Sequence, residues 1–448
     1  MFDAPAARVP ETRLPVVDRE RRKRWLYVLP VIFITYSLAY LDRANYGLGA
    51  AAGLAATLHI TGSQSALLGS LFFLGYFAFQ VPGIAYARRH SSTRLVFAAL
   101  ICWGILAALT GVIRQFWLLA IDRLLLGVAE SIVFPAMLVL ITRWFTRSER
   151  SRANTLLMLG NPTTVLWMSL ITGYLIQSVG WQKTFILEGL PAVVWAFVWL
   201  AVIRDKPSDA QWMSAEASAA LERQLAEEQL ALPRIGSLRE ALARKDVLVL
   251  CLLYLCWSLG VYGFVLWLPT IIRAGSRSGI GRTGLLSAVP YLLAVILMLV
   301  ASSTSDRTLR RKAIVWPFLV VAGVALFTSF LFAQHSFYTA YAALILAGGA
   351  MYAPYGSFFA LIAEVIPKTV LDEVLALINS SGALGGFAGA WLVGVLQART
   401  GNARAGFLLM SGALIASGML MLLIPAPGQR FRRPPFPSPS VRGDGGSA

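Results

Sequence analysis

Residues 25–52 read WLYVLPVIFITYSLAYLDRANYGLGAAA and follow directly on Arg21-Arg22-Lys23-Arg24. A helix needs roughly 20 predominantly apolar residues to cross the hydrocarbon of a bilayer, so this stretch predicts a membrane span anchored at its start by a basic cluster. Its two charges, Asp42 and Arg43, would each cost at least about 3 kcal/mol facing lipid, and so belong on a surface that meets water or solute inside a bundle. At helical spacing Tyr36, Tyr40 and Arg43 share one side, while Asp42 is turned roughly 100° from Arg43. Arg43 can then offer a permanent forked cation to a carboxylate, and Asp42 can gain or lose a proton. A structural ion pair between helices is the competing reading.

The same apolar pattern recurs along the chain. Spans are expected near 25–52, 65–87, 95–113, 116–141, 153–178, 184–203, 247–272, 283–304, 313–333, 337–362, 372–397 and 404–424. With 57% hydrophobic and 14% charged residues and a mean hydropathy of +0.67, a soluble fold is excluded. The formal charge of +17 is concentrated in clusters that abut spans, such as Arg21 to Arg24, Arg143 to Arg152 and Arg307 to Lys312. That placement predicts contacts with anionic lipid headgroups rather than with nucleic acid, and puts both termini on the cytoplasmic side. No apolar h-region lies within residues 1–24, so insertion is expected to begin with the first span itself.

Residues 204–246 interrupt the pattern, and the Ala-, Glu- and Leu-rich stretch from Ser214 to Gln229 predicts a short surface helix there. The expected organisation is an all-α polytopic membrane protein of twelve transmembrane helices. Residues 1–24 form a cytoplasmic N-terminal segment, 25–203 a six-helix bundle, 204–246 a cytoplasmic loop, 247–424 a second six-helix bundle and 425–448 a cytoplasmic tail. A shift of 222 residues lays Gly127 on Gly349, Glu130 on Tyr352, Gly160 on Gly382 and Asn161 on Ala383. Related halves of this kind permit alternating access by rocking about a central site.

In the fourth span Arg123 and Glu130 are seven apart and share a face, with Asp122 nearer the outer end. An apolar setting favours the protonated carboxyl and a nearby arginine opposes it, so an anion that competes for the arginine can couple its own binding to a proton. A structural bridge within this helix is the alternative. Tyr76 and Gln80, Asn161, Tyr262, Tyr352, Tyr355, Ser357, Asn379 and Ser380 are further candidates for a cavity wall, balanced against ordinary packing hydrogen bonds. Glu364 reads as a gate or cap residue. Gly382, Gly385, Gly386, Gly389 and Gly394 give the eleventh span a side without bulk, for static packing or for sliding. Cys102, Cys251 and Cys256 read as small core side chains, and His59, His90 and His335 form no metal cluster. With no Walker loop, dinucleotide fingerprint or catalytic constellation, neither a cofactor nor an enzymatic activity is expected.

At Tyr40-Leu41-Asp42-Arg43-Ala44-Asn45, at Arg123 through Glu130 with Phe134-Pro135 and Arg143-Trp144-Phe145, at Trp267-Leu268-Pro269 and at Asn379 through Gly382 with Gly385-Gly386, the chain resembles the major facilitator superfamily. Within it, the resemblance is to the anion:cation symporters, which include bacterial tartrate, sugar-acid and phthalate permeases. The resemblance implies a monomeric inner-membrane transporter that uses protons to import a small organic carboxylate. Arg43 would be the main carboxylate anchor, Asp42 and Glu130 the proton-sensitive residues, and Arg123 a binding or coupling residue, with Tyr76 and Asn161 facing the cavity. Two departures stand out. Sugar-acid carriers of the family often hold a glutamine at Asn161 and an asparagine at Ala383, which leaves room here for a less hydroxylated anion. The inner loop Gly83 to Arg89 keeps Arg88 and Arg89 but lacks the gate motif's acid, whereas Asp306-Arg307 retains a related pattern in the second half. An exchanger or facilitator for the same anions, a drug exporter and a non-transporting receptor are the competing functions.

Overall fold

The computed structural model describes residues 14–230, 244–366 and 371–424. It is helical throughout. A charged helix α1 (Leu14–Tyr27) leads into α2 (Leu29–Ala51), and the short α3 (Leu54–Thr57) turns the chain into α4 (Gly62–Arg89). Then come α5 (Ser92–Thr110), α6 (Phe116–Ser131), α7 (Val133–Trp144), α8 (Arg147–Val202) and the connecting helix α9 (Ala215–Leu230). The second half runs α10 (Lys245–Ser276), α11 (Ile280–Thr308), α12 (Arg311–Phe332), α13 (Phe337–Tyr352), α14 (Tyr355–Val365), α15 (Leu371–Thr400) and α16 (Arg404–Leu423). The surface helix expected from Ser214 is present as α9.

Among the described residues, eleven helical stretches are long and apolar enough to cross a membrane. The longest, Arg152–Val202, has 51 residues, far more than a bilayer requires, and breaks at Gly180, where φ is 82° and ψ is 160°. A side chain at that φ would be strained, so glycine is what lets two helices follow one another without a loop. Lipid-facing positions carry bulky apolar side chains that a water-soluble surface would not tolerate in such number; Val194 is 66% and Phe197 61% exposed.

Helix breaks fall in matching places. The stretch Phe116–Trp144 is interrupted between Ser131 and Val133, and Phe337–Ile362 between Tyr352 and Tyr355, so Ile132 and Pro354 are 222 residues apart. Pro135 has no N–H to close the turn behind it, and Pro354 caps the start of α14, so each break follows from a proline. The same offset relates Tyr40 to Tyr262, whose hydroxyls meet at 3.2 Å, and Ala51 to Arg273, whose guanidinium donates to the Ala51 carbonyl. Residues equivalent under the repeat therefore touch where α2 meets α10.

Two further seams join the halves, α4 against α15 and α8 against α11. Close approach there depends on glycine: Gly173 lies against Gly284, and Gly394 packs on Ala66 and Trp267. Gln177 accepts from the Gly281 N–H at 3.1 Å at the same end of the bundle. The opposite end carries α1 and the start of the connecting segment. There Glu149 accepts from Arg21 at 2.9 Å and from both Nη2 contacts of Arg24 at 2.7 and 2.8 Å. Trp212 stacks between Tyr27, at 5.0 Å and 10°, and Trp144, at 5.3 Å and 21°.

Candidate functional site

Helix α2 reaches the middle of the bundle at Arg43, which is 8% exposed although it is a cation. Its Nε donates to Glu130 Oε2 at 3.1 Å, and its guanidinium carbon sits 4.6 Å from the centre of the Tyr76 ring, 5.1 Å from Tyr40 and 5.2 Å from Phe72. Aromatic faces carry negative charge density, so three rings and one carboxylate supply what water would otherwise give this cation. Glu130 is wholly buried and its Oε1 has no partner within the protein. The pair expected within the fourth span is therefore made to a different helix: Glu130 bonds Arg43 of α2, and no ion pair joins it to Arg123.

Arg123 is drawn elsewhere. It is 2% exposed and lies over Tyr46 at 4.9 Å and Phe72 at 5.7 Å. The Phe72 ring thus lies within reach of both guanidinium groups, 5.2 Å from that of Arg43 and 5.7 Å from that of Arg123. Sharing a helical face placed Arg123 and Glu130 on the same side of the helix, but two turns of rise separate them and each finds partners on other helices. Asp122 turns away to accept from Thr110 Oγ1 at 2.7 Å.

A central cavity of about 40 Å³ opens between the halves and is lined from both. Tyr36, Arg43, Phe73, Tyr76, Phe134, Met158 and Asn161 come from the first half; Tyr254, Ser258, Tyr262, Tyr355, Phe359, Asn379, Gly382 and Ala383 come from the second. Of the expected binding residues, Arg43, Tyr76, Asn161, Tyr262, Tyr355 and Asn379 line it. Tyr40 sits one layer behind, bonded to Tyr262, and Ser357 is buried off the cavity wall. Such a volume holds a few waters, so an organic solute requires the halves to part. Asn161 Oδ1 and Ser258 Oγ have no partner within the protein.

The glycines of α15 pack rather than leave a free face. A side chain at Gly385 would run into the Leu255 carbonyl and one at Gly389 into the Leu259 carbonyl, both on α10. Gly386 instead faces Phe73 of the first half and Tyr262. Asp306 pairs with Arg311 within its own half, and Arg307 is exposed. Cys102 faces outward rather than into the core. The side chains of Asp42, Arg88, Arg89 and Glu364 lie outside the described residues.

The model of the Major Facilitator Superfamily matches residues 32–390. The chain belongs to this superfamily. It is 31% identical over 417 residues to a quinolone resistance transporter of Acinetobacter baumannii, with 90% of this chain and 94% of that one aligned. It is 29% identical over 413 residues to a putative tartrate transporter of Agrobacterium vitis, covering 91% and 94%. Among solved structures, a bacterial homologue of the human lysosomal transporter Spinster, in an inward-facing and unoccupied conformation, superposes with a TM-score of 0.68 at 17% identity over 90% of this chain and 95% of that one. The protein is a multi-pass membrane transporter of the major facilitator type, not an enzyme, and the cavity described above lies within the matched residues.

A buried acid in the middle of the first half escaped the sequence reading. Glu188, in the second limb of α8, accepts from Asn45 Nδ2 at 3.0 Å and from Thr172 Oγ1. Asn45 stands two residues after Arg43, on the other side of α2, so this carboxyl fixes the back of the helix whose front carries the cavity cation. Its signal was available: a lone acid inside an apolar span is the same cue that drew attention to Glu130.

Proposed function

We propose that this facilitator is a proton-coupled symporter that carries a small organic carboxylate across the bacterial inner membrane by alternating access. The observation that carries this reading is the Arg43–Glu130 pair, poised beside a cavity shared by the two halves. A substrate carboxylate that takes the forked donors of Arg43 competes with Glu130 for its cation. The released carboxyl, buried and without its counter-charge, is then favoured to bind a proton, so that anion and proton enter the closed state together. Asp42 is proposed as a second proton carrier, Arg123 as a cation that holds the field around Phe72, and Tyr76, Asn161, Tyr262, Tyr355 and Asn379 as contacts to the solute. Tyr40 and Ser357 act from the layer behind.

In this reading the chain crosses the membrane twelve times in two six-helix bundles, 25–203 and 247–424, because the break at Gly180 divides the longest helical stretch into two crossings. Residues 1–24, the 204–246 loop and the 425–448 tail then face the cytoplasm, where basic clusters meet anionic headgroups. The working unit is one chain. Gating groups are Arg88, Arg89, Asp306 and Arg307, with Gly382, Gly385 and Gly386 setting the spacing of α15.

The likeness to a quinolone resistance transporter supports a second reading, in which the same site exports an organic anion. Purified protein in proteoliposomes separates the two. Symport predicts that an inward pH gradient drives accumulation of a labelled carboxylate above equilibrium; uptake of the same anion that ignores the gradient would overturn coupling and leave a facilitator or exchanger.

A further inference from the structure

We propose that the cavity is built for a flat aromatic monocarboxylate rather than a hydroxylated or dicarboxylic acid. This inference rests on the transport reading above and narrows its substrate. Among the described residues Arg43 is the one charged side chain on the cavity wall, and Arg123, whose guanidinium lies over Tyr46 and Phe72, is not part of that wall. A solute with one carboxylate is matched by that wall, whereas a second carboxylate would be desolvated with no cation to meet it.

The remainder of the wall is dominated by ring faces. Phe73, Phe134 and Phe359 offer no polar atom, and neither does Ala383. Hydroxyl groups pressed against these faces would lose their water partners and gain none, so a polyol is served only on the side of the wall that carries the tyrosine hydroxyls, Asn161, Ser258 and Asn379. The Tyr262 hydroxyl is itself engaged with Tyr40.

Geometry across the seam favours a planar guest. Phe73 of the first half and Tyr262 of the second have ring centres 4.5 Å apart with planes inclined by 55°, and on the first half's side Tyr36 and Phe134 have centres 5.6 Å apart. As the halves separate, a flat ring can enter between Phe73 and Tyr262 and replace one ring contact with two. Its carboxylate then reaches Arg43, while Asn161 Oδ1 and Ser258 Oγ, which have no partner in the protein, are available to a single ring substituent.

The test is inhibition and uptake in proteoliposomes of the full chain, with benzoate, 3-hydroxybenzoate, tartrate and gluconate as probes. The inference expects labelled 3-hydroxybenzoate to be transported, and benzoate to inhibit that uptake at concentrations at least tenfold lower than tartrate or gluconate. Phe73→Leu, which keeps an apolar side chain but removes the ring, should reduce that preference at least threefold in protein that remains monodisperse. Transport of tartrate or gluconate in preference to the aromatic acids would overturn the aromatic assignment while leaving carboxylate transport intact. Transport of none of the four would overturn the assignment and the broader reading together.

Discussion

The first half of the chain buries charge and the second half buries rings and hydroxyls. Arg43, Asp122, Arg123, Glu130 and Glu188 are all buried in helices of the first half, whereas among the described residues of the second the one buried charged side chain is Asp246, in the first turn of α10, and the others on its buried polar surface are serines and threonines. Tyr254, Tyr352 and Tyr355 pack with Trp257 and Phe358 in that half's contribution to the centre, while Tyr262 meets Phe73 of the first half. Two halves related by a common offset have thus kept their helix breaks while dividing the chemistry. Glu130 and its equivalent Tyr352 are the sharpest instance. The proposed consequence is that the first half senses the charge of solute and proton, while the second shapes the wall and supplies the surface against which it moves.

The largest effect is expected at the charge itself. Arg43→Ala removes the cavity's cation and strands Glu130; loss of one partner of a buried pair costs about 2–5 kcal/mol, so solute affinity should fall at least ~30-fold. Uptake by protein of normal size-exclusion profile checks this. Comparable impairment from Tyr355→Phe would break the division between the halves. Next comes the packing of α15 on α10. Gly385→Val forces a side chain against the Leu255 carbonyl, and overpacking of this kind costs about 1–3 kcal/mol, visible as a lowered melting temperature in detergent.

A smaller change is expected at the far end of the first half. Burial pushes the Glu149 carboxyl up, but Arg24 and the Thr146 hydrogen bonds outweigh it, and its pKa lies below the ordinary glutamate value of 4.5. A depressed folded-state pKa stabilises fully above the unfolded value and is lost as pH falls through the folded one. The clamp of α1 on the start of α8 should therefore be intact at neutral pH and loosen only in acid below about pH 4.5. Glu149→Gln should lower the melting temperature at pH 7 and flatten its decline in acid. Smallest of all is Tyr262→Phe, which deletes one neutral hydrogen bond between the halves; a shift of about 1 kcal/mol in their equilibrium should alter transport rate only several-fold.

Much of this was legible in the sequence because helices in a membrane announce themselves by length and apolarity. The spans, the shared face of Tyr36 and Arg43, the offset of 222 and the helix over Ala215–Leu230 all follow from local pattern. Partner choice does not. A helical wheel gives the side on which Arg123 and Glu130 lie, but only packing decides that Glu130 meets Arg43 from α2 while Arg123 lies over Tyr46 and Phe72. The gap expected between residues 178 and 184 falls at Gly180, whose positive φ bends the chain without the polar loop that usually marks a turn. Trp212 could not be assigned from its neighbours, because its stacking partners Tyr27 and Trp144 are distant in sequence.

Proton stoichiometry of solute binding tests the central claim most directly. Weakly buffered, detergent-purified protein is titrated with a transported carboxylate while pH is followed. The account predicts net proton uptake as the anion displaces Glu130 from Arg43, reduced in Glu130→Gln protein that still binds the anion. Binding with no proton uptake, or with uptake unchanged in Glu130→Gln, would contradict it.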